Sequence, residues 1–111
     1  MKHKDMQTAE RFGILDRVQA FEKSLLAIEG ITGDHVDIDL DGWYDGIRQI
    51  IICPGYHITG QGLQWYVARA EMVASINLTA AAFGLHRSRD RIEDYGAHLY
   101  IVYECDDTWP K

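Results

Sequence analysis

The chain has 111 residues, 47% of them hydrophobic and 25% charged, which is enough for one domain and too little for two. Seventeen acidic against eleven basic side chains leave a formal charge of −6, against direct nucleic-acid binding by broad phosphate neutralisation. That apolar fraction and twelve aromatic residues argue against disorder, and no stretch reaches the ~20 apolar residues of a membrane span.

From residue 8 to residue 29, Phe12, Leu15, Val18, Phe21, Leu25 and Ile28 recur at steps of three and four, predicting an amphipathic helix over 8–29. Asp5 or Thr8 is placed to cap its start and Gly30 to end it, while Gly13 weakens its first turn. The period then changes to two. Val36, Ile38 and Leu40 alternate with Asp37, Asp39 and Asp41, the rhythm of a half-buried strand. Asp45-Gly46 is a favoured pair for a two-residue hairpin turn. Taken literally, it makes strands of 35–44 and 47–53 and pairs Leu40 with Ile51, Asp39 with Ile52 and Ile38 with Cys53. In that register Val36, Ile38, Leu40, Tyr44, Ile47, Ile51 and Cys53 form the core face. The other face carries Asp37, Asp39, Asp41, Trp43, Arg48, Ile50 and Ile52.

Pro54-Gly55 ends the second strand. From residue 63 to residue 84 a second helix is expected; Arg69 and Glu71 are its only charges, so most of its circumference should be buried, and Gly84 is placed to end it. Residues 86–96 are polar and irregular, with Arg87, Arg89 and Arg91 cancelled by Asp90, Glu93 and Asp94, as in an internally paired connector. Alternation returns at Leu99, Ile101, Tyr103 and Cys105, giving a third strand over 97–105. A long helical crossover would place this strand parallel to the second. The expected fold is a single two-layer α+β domain over 1–111, in the order α-β-β-α-β. Its three-stranded mixed sheet has strand order 1-2-3, and both helices pack on one face.

Several motifs invite chemistry. Asp37-Ile38-Asp39-Leu40-Asp41-Gly42 begins like a calcium-binding loop, but position twelve falls on Arg48 where a bidentate glutamate is needed, so a solvated acidic strand that deters edge pairing is the preferred reading. Gly55, Gly60 and Gly62 precede the second helix without a phosphate-binding fingerprint. His57, His86 and His98 with Cys53 and Asp94 offer the residue types of a nucleophile and its base, yet not in any catalytic or metal-binding spacing. Asn77-Leu78-Thr79 matches a glycosylation sequon inside a helix of a chain without a secretory leader, and should be silent. No catalytic residue, cofactor or metal is assigned. Two cysteines are too few for a disulfide scaffold, and a cytoplasmic location is expected.

Charge is segregated: residues 31–60 set Arg48 against Asp34, Asp37, Asp39, Asp41 and Asp45. With both helices on one side, Ile50, Ile52, Tyr100 and Val102 would form an apolar strip on the other, bordered by the aspartates and ended by Trp43. Such a strip marks association, as a homodimer or with a protein partner, unless a helix, the 86–96 segment or the Trp109-Pro110 tail folds over it. The leading expectation is therefore a non-enzymatic interaction domain docking through the sheet face. Two alternatives are an acidic mimic of nucleic acid that inhibits a binding protein of a mobile element, and a small ligand-binding protein or enzyme using residues 54–62.

Overall fold

In a computed structural model, the described residues are 1–40, 42–43, 46–54, 62–93 and 98–110. Among them are four helices and four strands: α1 (His3–Arg11), α2 (Leu15–Leu26), β1 (Ile38–Asp39), β2 (Gln49–Ile52), α3 (Gly62–Ala68), α4 (Ala70–Ala82), β3 (Leu85–Glu93) and β4 (His98–Cys105). The class is α+β. The strands form an antiparallel sheet in the order β1-β2-β4-β3.

Each difference from the sequence reading has a local cause. The expected first helix is two helices. Gly13 adopts φ +71°, its N–H reaches Glu10 O and the N–H of Ile14 reaches Ala9 O, so a left-handed residue closes α1 and restarts the chain at α2. Neither Asp5 nor Thr8 caps α1. Asp5 lies inside its first turn, buried, with Oδ1 accepting the N–H of Leu40 at 3.0 Å, which ties α1 to the end of β1. Gly84, in contrast, does close α4, at φ +73°.

Residues 85–93 are a strand, not a connector. They pair along β4 with a register shift between Arg87 and Arg89. Because β3 is an edge strand, nearly all of it is exposed and no apolar alternation marks it. The crossover through α3 and α4 thus carries the chain from β2 to the far edge, and β4 returns antiparallel between β2 and β3. The parallel pairing expected for the last strand does not occur, and the sheet is not mixed.

The β1–β2 register differs by one residue from the expected hairpin: Ile38 pairs with Ile52 and Asp39 with Ile51. Pairing stops there, and Gly42 and Trp43 form a short 3₁₀ turn to which the N–H of Ile47 returns, donating to Gly42 O at 2.9 Å. Asp41, Tyr44 and Asp45 lie outside the described residues, and with them the predicted two-residue turn. A slip of one exchanges the faces of a strand. Ile50 and Ile52 therefore join Ile38, Leu40, Leu99, Ile101 and Tyr103 against the helices, whereas Ile51 and Cys53 turn to the other side. Helix side chains Val18, Phe21, Leu25, Trp65, Val73, Ile76 and Ala80 complete the main core.

The chain ends in a clamp. Trp109 is buried with its Nε1 donating to Phe83 O at 2.8 Å, and the Arg17 guanidinium lies 3.9 Å over its ring. Arg17 also donates to Phe83 O and Thr108 O, and Arg48 donates to the carbonyls of Asp106 and Trp109. Trp109 belongs to the helix-side core, so the tail does not fold over the second sheet face.

Candidate functional site

The second sheet face is laid out in rows by the ladder. One row runs Asp39, Ile51, Val102, Arg89 across the four strands, and Tyr100 stands beside Arg91 in the next. The face is thus acidic along β1, apolar in the middle and basic along β3. Its centre is already sealed within the chain: Val102 is 0% exposed, and Ile51 and Cys53 are 6% exposed each. The Arg91 guanidinium lies 4.5 Å over the ring of Tyr100 and pairs with Glu93 at 3.3 Å, while Ser88 Oγ donates to Glu104. Asp37 is mostly buried and lies 3.9 Å from Lys2.

The residues expected to form an apolar docking strip are therefore separated by the structure. Ile50 and Ile52 belong to the helix-side core. Trp43 is buried there too, packed at 5.8 Å on Phe12 with Nε1 donating to Gln49 O. Arg48 holds the tail. Asp37, Asp39, Tyr100 and Val102 do share the second face, and Asp41 lies outside the described residues. The calcium-loop resemblance fails on geometry, because Ile38 and Asp39 are paired in an extended strand.

The other candidates disperse likewise. Gly55, His57 and Gly60 fall outside the described residues, as does Asp94. His86 is exposed opposite Glu104, and His98 lies edge-on to Tyr100 at 6.3 Å. Burial pushes the Cys53 thiol up to about 12, with Asp37 and Asp39 adding to the effect, and burial pushes Cys105 up to about 12 as well. Neither thiol is activated for nucleophilic attack. Arg87 is paired with Asp90 at 2.6 Å, as the connector reading expected of its charges. It also donates to the Tyr66 hydroxyl and to Asn77 Oδ1, and Asn77 Oδ1 accepts the Tyr103 hydroxyl as well. The sequon asparagine is thereby drawn inward.

A different surface stands out. Helix α4 buries Val73, Ile76 and Ala80, and its opposite face exposes Ala70, Ala74, Leu78 and Ala81. Leu78 is 74% exposed, and Val67 at the end of α3 is 69% exposed. Two grooves flank this ridge. One of about 390 Å³ is lined by Tyr66, Val67, Ala70, Val73, Ala74, Asn77 and Arg87. The other, about 580 Å³, includes Ile28 and Glu29 beyond α2 together with Val67, Ala70 and Met72. A solvated helix face ordinarily carries charged side chains. On α4 the sole charged residue is Glu71, with Arg69 just before the helix. The scarcity of charge over 63–84 is visible in the sequence, but there it reads as burial all round; only the structure shows which half has no cover.

Comparison with protein-family models, curated proteins and solved structures gives no match. Among the described residues, no helix is long and apolar enough to cross a membrane, and no group of three or more His, Cys, Asp or Glu side chains is placed to hold a metal ion.

Proposed function

We propose that the chain is a non-enzymatic protein-interaction domain, and that it docks through the outer face of α4 rather than through the sheet. The observation that carries this is the exposure of Leu78 and Val67 on a ridge otherwise made of alanine. Fully burying a Val or Leu side chain contributes ~1.5–3 kcal/mol. At their degrees of exposure, covering the two would contribute about 2–4 kcal/mol, before the alanines are considered. Leaving such a ridge in water has no structural return within the chain, since Val73, Ile76 and Ala80 already anchor the helix.

The test is binding of an apolar fluorescent dye such as ANS to dilute, folded protein. The native chain should bind it, and L78E and V67E should each lower the binding while leaving the circular dichroism spectrum unchanged. Native protein that binds no dye, or binding that ignores both substitutions, would refute the reading.

A further inference from the structure

Resting on that reading, we propose that the occupant of the α4 face is a second copy of this chain, packed antiparallel about a two-fold axis passing Ala74. Within α4 the exposed ridge reads Ala70, Ala74, Leu78, with two steps of four, while Val67 lies on α3 beyond the non-helical Arg69. That spacing is its own reverse about Ala74. Under the two-fold, Leu78 meets the partner's Ala70, and Ala74 meets its own mate. The large side chain therefore faces a small one. An isologous interface requires this kind of self-complementarity, because the same patch must serve as both knob and hole. Alanine along the seam lets helix axes approach to the lower end of the ~8–10 Å range for packed helices.

Area agrees with a second copy. A two-fold sets each flank of the seam against its own mate, so the two Glu71 residues share one side of it, offset by about 9 Å along the axis at 1.5 Å per residue. The exposed parts of Val67 and Leu78 with the alanines amount to on the order of 400 Å² of apolar surface. Interfaces are about 56–65% apolar, so this is most of the apolar share of the ~800 Å² per partner that a standard two-fold dimer buries. The flanking grooves add polar area: Arg87, Asn77 and Tyr66 border one side, and Glu29, Arg69, Glu71 and Ser75 the other.

The experiment measures mass by sedimentation velocity across a wide concentration range, on the full chain. Wild type should move from one chain of 12.7 kDa toward twice that mass as concentration rises, and L78E should raise the dimer Kd at least ~100-fold. A short bismaleimide should link A74C into a covalent dimer, whereas A82C, off the ridge, and wild type, whose two thiols are buried or half-buried, should stay unlinked. Wild type that remains monomeric at every concentration would overturn the proposal, as would a dimer indifferent to L78E or equal linking at positions 74 and 82. The dye assay separates the two levels. A strict monomer that binds dye through Leu78 refutes the second copy and leaves the docking reading standing; one that neither binds dye nor pairs refutes both.

Discussion

Trp109 gives the sharpest test of how the fold is closed. It is 1% exposed, stacked under Arg17 at 3.9 Å and hydrogen-bonded through Nε1 to Phe83 O, and its own carbonyl accepts Arg48 at 2.7 Å. Truncating a buried Trp to alanine costs about 3–5 kcal/mol through lost transfer energy and the residual cavity. The cation–π contact adds about 1 kcal/mol where, as here, the cation is half-buried. A loss of ~4–6 kcal/mol is a large part of the ~5–15 kcal/mol that holds a domain of this size. W109A is therefore expected to be marginally folded. In urea, with m of ~2 kcal/mol/M, its midpoint should fall by about 2 M or vanish. W109F keeps a ring under Arg17 and loses the indole N–H, so its cost should be about 1–2 kcal/mol. Circular dichroism is the appropriate probe, since substituting a Trp changes the fluorescence directly. A W109A midpoint within ~0.3 M of wild type would show that the clamp contributes nothing, and that Arg17 and Arg48 are ordinary surface cations.

The two positive-φ glycines that close α1 and α4 should respond differently to alanine. At Gly13 a Cβ meets nothing within 4 Å, so G13A should cost only the ~1–2 kcal/mol of left-handed strain; at Gly84 it would meet the Asp106 carboxylate at 2.6–2.8 Å, so G84A should lower thermal stability distinctly more, and equal melting shifts would refute this. I52D should abolish the cooperative melt, because it places a carboxylate in the fully buried core; a folded I52D with native melting would mean that Ile52 faces outward after all. Both thiols have folded-state values pushed from 9.0 to about 12, so they should resist a thiol-reactive reagent at pH 8 until urea is added. For the same reason the unfolded chain gives up these protons first. Stability should be insensitive to the thiols below about pH 9 and decline as pH rises from 9 toward 12; a melting temperature that rises over this range would contradict the burial of Cys53.

The parts of the fold that were legible in the sequence are those where burial imposes a period. The stripe Phe21, Leu25 and the alternation Leu99, Ile101, Tyr103 face the core because one side of each element meets the other layer. The parts that were not legible lie where two arrangements satisfy the same pattern. Ile52 and Cys53 would each give Ile38 an apolar partner, and three consecutive isoleucines at 50–52 leave β2 apolar on both faces, so alternation cannot choose between the two registers. Gly13 was visible as a weak point of a helix, but its role as a terminator depends on the hydrogen bonds of Gly13 and Ile14 back into α1. On β3, exposure on both faces erased the signal altogether, and its charges resemble those of a loop. The strip expected on the sheet face is divided for the first of these reasons, since the one-residue slip carries Ile50 and Ile52 into the core.

The distribution of charge then narrows how two such domains can meet. A sheet with one layer of helices can associate by its edges, by its free face or by its helices. The β1 edge is two residues long, includes Asp39 and follows Asp37, and β3 carries Arg87, Arg89, Asp90, Arg91 and Glu93 with a bulge after Arg87, all features that hinder strand addition. The free face has a buried apolar centre with Tyr100 packed against it, so stacking there would desolvate the charged rims while hiding little further apolar area. Among the described residues, the two most exposed large apolar side chains, Leu78 and Val67, lie on the helical layer, where α4 carries a single charge. Of the three modes, it is the one where association removes the most apolar surface from water for the fewest ions stripped of theirs, and that asymmetry favours the α4 ridge over the sheet.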